Sequence, residues 1–164
     1  MKYKYMKVLN FFLRIEDTEH PYKIIIRFLV GGVFLWEGII KFLYTNQGLG
    51  RFTKLGFPEP GLVSGLIGGL EIAGGLLLIA GFLTKPIGCL FVIEMIVAMA
   101  MTKVPLFFGT SPLASPQVPP IIGIWAVLHE IRSEYAQALG SLFLVLTGPG
   151  RNSIDALLKG RAES

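Results

Sequence analysis

The run from Gly61 to Leu83 is continuous, apolar and rich in glycine, yet it carries a carboxylate, Glu71, near its centre. Its length matches the about 20 mostly apolar residues that a helix needs to cross the hydrocarbon core of a bilayer. A carboxylate at that depth is tolerated only when it turns toward a donor or a cation inside a helix bundle. At about 3.6 residues per turn, Gly61, Ser64, Gly68, Glu71 and Gly75 fall on one face, with Leu66, Leu70 and Leu77 opposite. The small residues on the polar face allow a second helix backbone to come close. The rest of the chain must therefore supply further spans and a partner for Glu71.

Composition agrees with one membrane domain. Of the 164 residues, 52% are hydrophobic and 16% charged, and the mean hydropathy is +0.62, too apolar for an ordinary soluble domain. The net charge of +4 does not indicate a nucleic-acid binder, because the basic residues flank apolar runs and form no compact patch. The lone Cys89 excludes an intrachain disulfide and a Cys-x-x-Cys thiol relay.

Read in order, residues 1–22 form a basic, aromatic segment with Lys2, Lys4, Lys7 and Arg14, too short in its apolar part to span, and expected to lie as an interfacial helix. A first span is expected over 24–44, with Arg27, Gly31, Phe34, Glu37, Gly38 and Lys41 on one face. Residues 46–60 read as a helix-free loop broken by Gly48, Gly50, Gly56, Pro58 and Pro60. The second span is 61–83, and Lys85-Pro86 reads as a tight turn into a third span over 86–101 that holds Glu94. Five prolines between Val104 and Pro120 rule out a continuous helix there. Residues 121–128, with Trp125, are too short to span and read as interfacial or re-entrant. A fourth span over 133–147 places Glu134, Gln137 and Ser141 on one face and is stopped by Gly148-Pro149-Gly150. The sequence thus predicts an all-α polytopic membrane protein: a four-helix transmembrane bundle over 23–155 preceded by the interfacial helix and followed by a tail over 156–164. Basic residues cluster at both termini and at Lys85, which puts both termini on the cytoplasmic side of a cell membrane, inner or plasma, and the proline-rich loop 104–120 outside.

Several motifs in this order carry a resemblance. Arg27 followed by Gly31, Gly38-x-x-Lys41, Phe52-x-x-x-Gly56-Phe57-Pro58, the run from Gly69 through Glu71 and Gly75 to Thr84-Lys85, Glu134-Tyr135-Ala136, and Gly148-Pro149-Gly150-x-Asn152-Ser153-x-Asp155 are similar to the pattern of the DoxX family. The resemblance implies a four-helix integral membrane protein related to DoxX and DoxD, small subunits named from quinol oxidase and thiosulfate:quinone oxidoreductase assemblies. The segment 104–120 is longer than usual for that family.

At a rise of about 1.5 Å per residue, Glu37, Lys41, Glu71, Glu134 and Gln137 are expected to converge in the outer half of the bundle, while Arg27 and Glu94 are expected to pair in the inner half. The chain lacks the Glu-x-x-His pairs of a ferritin-like di-metal site, since Gly74, Val97 and Gln137 follow Glu71, Glu94 and Glu134 by three positions. His20 and His129 offer no bis-His haem site within the bilayer, and Met95 and Met99 read as core filler. No metal and no covalently bound cofactor is expected. A quinone is the candidate cofactor: its tail needs an apolar groove, and its head needs donors and a carboxylate able to take up or release a proton. Glu71, Glu37 and Lys41, with Trp36 and Phe34 nearby, meet that description.

The expected function is a membrane subunit of a quinone-linked oxidoreductase, without a redox centre of its own, that works beside a partner subunit in the bilayer, with a homo-oligomer as a further mode of association. Two other classes remain open: a scaffold whose polar core only holds the bundle together, and a small-anion carrier that would use Arg27 and Lys41. A quinone site requires Glu71 to be reachable from lipid, a scaffold requires a sealed and fully paired polar core, and a carrier requires a water-filled path.

Overall fold

A computed structural model describes residues 20–114 and 116–162, in which every regular element is helical. The helices are α1 (Lys23–Leu43), α2 (Leu49–Lys54), α3 (Pro60–Ala80), α4 (Thr84–Thr102), α5 (Ile124–Glu130), α6 (Arg132–Thr147) and α7 (Ile154–Ala162), with a 3-10 turn at Val104–Phe108. Of the interfacial helix expected over 1–22, only 20–22 fall among the described residues, and Pro21 and Tyr22 form a turn into α1.

α3 begins with Pro60 in its first turn, where a missing N–H costs nothing. It ends at Gly81, whose φ of 71° is left-handed. The reversal into α4 therefore falls at Gly81–Leu83, earlier than the turn expected at Lys85-Pro86. Pro86 instead lies within the first turn of α4. The loop expected to be free of helix contains the single-turn α2, because Gly48 packs directly on the Lys41 carbonyl and Gly50 on that of Thr45, folding the chain back tightly enough for one turn to form. After the 3-10 turn the proline-rich segment is irregular up to the short helix α5, which leaves Trp125 72% exposed. The expected tail, in turn, is largely helical as α7.

Four long helices assemble as two antiparallel pairs, α1 with α3 and α4 with α6. The first pair is a backbone-to-backbone contact. A Cβ at Gly38 would come within 2.7 Å of the Gly68 carbonyl, and one at Gly75 within 2.6 Å of the Gly31 carbonyl. Such proximity maximises packing where lipid removes most of the hydrophobic drive between helices. Between the pairs lies an apolar core of Val30, Phe34, Leu78, Ile87, Phe91 and Leu144. Gly74 leaves room for the Phe91 ring, which stacks on Phe34 with centroids 3.6 Å apart.

Of the long helices, α3 and the segment Thr84–Phe108 are long and apolar enough to cross a membrane. α1 is of comparable length but carries Lys23, Arg27, Glu37 and Lys41, and α6 has 16 residues.

Candidate functional site

Glu71 lies at the interface of three helices. Its residue is 3% exposed, and its Oε1 accepts a hydrogen bond of 2.8 Å from Lys41 Nζ on α1. Oε2 lies 2.6 Å from the same Nζ but off the hydrogen-bond direction, so its contact is the ion pair alone. The local reason is the close approach of α1 and α3: with Gly38 and Gly68 in contact, the Lys41 side chain has only a short way to reach across.

Glu94 of α4 stands against Glu71, near Lys41. This differs from the expected pairing of Glu94 with Arg27, because Glu94 is directed to the middle layer and Arg27 to the opposite end of the bundle. Glu94 Oε2 is buried without a donor, as are Gln137 Oε1 and Ser141 Oγ on α6. The middle layer thus holds one ammonium, two carboxyls and further polar atoms that the protein leaves unpartnered.

The other expected members are spread more widely. Glu37 is exposed on the flank of α1, one turn from Lys41, and Trp36 beside it is 53% exposed. Phe34, expected to line a groove, is 2% exposed and stacked in the core. Glu134 is paired elsewhere than with Glu71. It lies 3.5 Å from Lys103 Nζ, which is also 3.6 Å from Glu130, so these three close the end of the α4–α6 pair next to α5. Lys103 follows the last apolar turn of α4, a position that gave no hint of its acidic partners.

Arg27 belongs to a knot at the end of the bundle nearest α7. Buried to 2% exposure, it donates to the Pro149 carbonyl at 3.1 Å and to the Asn152 carbonyl at 2.6 Å, and packs directly on Gly81. Lys23 Nζ donates to the Thr147 carbonyl at 2.7 Å. Asp155 accepts from the N–H groups of Leu83 and Thr84 at 3.0 and 3.1 Å, while its own N–H donates to the Gly81 carbonyl. That is a helix cap supplied from a distance, required because Leu83 precedes α4 and has no capping side chain. It also holds Leu83 at a φ of 52°, a left-handed conformation costly for a residue with a side chain. Gly148, Pro149, Asp155 and Arg27, quoted above as motif residues, meet here. Gly38 and Gly75 meet at the α1–α3 contact, and Gly56, with a φ of 79°, turns the chain before Pro58 into α3.

Among the described residues no cluster of three or more His, Cys, Asp or Glu side chains could hold a metal ion. What the middle layer brings together chemically is two neighbouring carboxyls, a pair whose titrations are coupled, and one cation.

The helices, the charged interior and the order of the motifs together define a small helical membrane protein. The chain belongs to the DoxX family, whose model matches residues 22–104. It is similar to the uncharacterized membrane protein Rv3486 of Mycobacterium tuberculosis (strain ATCC 25618 / H37Rv), with 38% identity over 151 residues that cover 91% of this chain and 89% of that protein. No solved structure matches the chain.

Proposed function

We propose that the chain is a membrane subunit of a quinone-linked oxidoreductase in which the Lys41–Glu71–Glu94 layer exchanges a proton. One observation carries this reading: a second carboxyl is set against a Glu71 that already has its lysine. A purely structural ion pair needs one carboxylate per ammonium, and an extra buried charge is costly in a low-dielectric interior. The layer is electrically neutral only when the two carboxyls hold one proton between them. The shared proton would also turn a contact between two acceptors, Glu71 and Glu94, into a hydrogen bond.

Protons would reach the layer from the end that carries α2 and α5. Glu134, Gln137 and Ser141 follow one another down one face of α6 toward it. On the other side the stacked Phe34 and Phe91, with Val30, Leu78 and Leu144, form an apolar plug. Glu71 is 3% exposed and cannot be touched from lipid, so the direct contact between Glu71 and a quinone that the sequence led us to require is not met. A quinone head would instead meet the exposed Glu37 and the partly exposed Lys41 on the flank of α1, and Lys41 would connect it to the buried pair. In this reading the four long helices all span, both termini are cytoplasmic, and a protein partner supplies the redox centre. A cysteine at Lys54 in a Cys89→Ser background is then expected to react with an impermeant thiol reagent added outside intact cells. Reaction of a cysteine at Lys159 under the same conditions would overturn that orientation.

The functional test is quinone-dependent turnover of the isolated complex, normalised to the amount of this subunit. Glu71→Gln and Glu94→Gln each keep size and hydrogen bonding but carry no exchangeable acid, and both are expected to lower turnover by roughly 10²-fold, the low end of general acid–base effects, with assembly intact. Glu59→Gln, in the loop before α3, is the control. Equal turnover in all four proteins would refute the proton role and leave the scaffold.

A further inference from the structure

Beyond the middle layer, at the end of the bundle that carries α2, a cavity of about 230 Å³ opens between α2, the end of α4 and the proline-rich segment. Arg51, Lys54 and Lys103 line it together with the side chains of Asn46 and Gln47, and Glu130 is its acidic member. The charges do not cancel. Glu130 is taken up by Lys103 at 3.6 Å, and among the described residues Arg51 and Lys54 have no carboxylate within ion-pair distance.

The position of these two cations is built in. Tyr44 accepts from the N–H groups of Gln47 and Gly48, the Gly48 carbonyl accepts from Arg51 N–H, and Gly48 packs against the Lys41 carbonyl. The loop that presents Asn46, Gln47, Arg51 and Lys54 is thus pinned to the end of α1 before any ligand arrives. Next to the lining residue Leu106, Phe107 and Phe108 are 47% and 70% exposed, and Ile122 and Trp125, on either side of the Gly123 whose N–H donates to the Leu106 carbonyl, are 62% and 72% exposed. Aromatic side chains at the end of a span mark the level of the lipid headgroups.

We infer that this cavity is a binding site for a phosphate group. A guanidinium and an ammonium facing one concavity, with two amide donors beside them, match the several acceptor oxygens of a phosphate, and charge-assisted bonds of this kind are about twice as strong as neutral ones. Either an anionic phospholipid headgroup or a free phosphate presents that chemistry. A lipid phosphate would enter from the side, over the aromatic rim.

Two measurements on the purified full-length protein distinguish the sources. The first titrates inorganic phosphate against chloride at matched ionic strength and reads thermal stability in detergent. The second reads, by native mass spectrometry, retention of phosphatidylglycerol over phosphatidylcholine from mixed nanodiscs. The double variant Arg51→Gln/Lys54→Gln is expected to weaken the response by about tenfold or more, each lost charged contact being worth roughly that factor. Arg132→Gln, which removes a cation engaged with His129 outside the cavity, is expected to change nothing. Should the double variant not fold, Lys54→Gln alone carries the comparison, since its side chain is exposed. A response to phosphate only marks a free anion, and retention of phosphatidylglycerol only marks a lipid. No preference in either measurement, or an equal loss in Arg132→Gln, would overturn the site.

Discussion

The two polar regions of this bundle solve the same problem in different ways. In the knot around Arg27 and Asp155, charged side chains are matched mainly to backbone groups: Arg27 to the Pro149 and Asn152 carbonyls, Lys23 to Thr147, and Asp155 to two N–H groups at the start of α4. In the middle layer, Lys41, Glu71 and Glu94 are matched to one another, and both regions leave some buried polar atoms over, Arg27 Nε and Thr84 Oγ1 in the knot and atoms of Glu94, Gln137 and Ser141 in the layer. In the knot the partners are backbone groups, and the pairing fixes where helices end. In the layer the partners are side chains that can change protonation, so the layer has a state that depends on a proton. The contrast separates a part that fixes helix ends from the part to which the proposed function is assigned.

The largest effect is expected at the knot. Arg27→Met removes the cation that ties α1 to the segment after α6 and leaves two carbonyls without their donor, which should cost about 2–6 kcal/mol, roughly 1–3 for each carbonyl. A melting temperature in detergent within a few degrees of wild type would show that the knot is not the keystone assumed here.

Next comes the ion pair of the layer. Lys41→Met and Glu71→Gln should each destabilise, with the double variant less affected than the sum by roughly 0.5–3 kcal/mol. The cycle is read from unfolding midpoints, and strict additivity would mean that the two side chains do not depend on each other.

The comparison is sharpest when the same chemical change is made on both sides. Asp155→Asn turns one acceptor toward a backbone N–H into a donor, so it should cost about 0.5–2 kcal/mol, the range for loss of a helix cap. Glu94→Gln instead supplies the donor that a protonated carboxyl would give to Glu71, so its stability change should stay within about 0.5 kcal/mol, as for a substitution that breaks no buried feature. Equal losses in the two variants would erase the distinction. The smallest effect is expected for Leu83→Gly, which relieves a left-handed residue and should leave the melting temperature unchanged or slightly raised. A clear fall would show that the Leu83 side chain contributes more than its conformation costs.

Much of this was legible from residue spacing. Glycines at helical intervals opposite Leu66, Leu70 and Leu77 announced a close helix partner for α3, and a central Glu71 announced a cation, found in Lys41. The ends of the helices were legible within a few residues, because proline and glycine act locally. What spacing could not give was rotation and tilt between helices. Depth along an ideal helix placed Glu94 in the inner half with Arg27, within reach of an extended side chain, but Arg27 is drawn toward carbonyls of a loop 122 residues away in sequence, and Glu94 stands against Glu71. Glu134 looked like a partner for Glu71 by depth alone. Lys103, at the turn out of α4, takes it instead. The role of Asp155 had one sequence signal, a helix starting after Leu83 with no capping residue of its own, and that signal is negative and easy to pass over.

The claim on which the functional reading depends is that Glu71 and Glu94 hold one proton between them at neutral pH. Infrared difference spectroscopy in H2O and D2O reports it directly, because a protonated carboxyl has a C=O stretch well separated from that of a carboxylate and shifts on deuteration. The wild-type protein in nanodiscs is expected to show one such buried acid band, lost in Glu94→Gln and in Glu71→Gln and retained in Glu37→Gln. A band that survives in both Glu71→Gln and Glu94→Gln, or none in the wild type, would contradict the account.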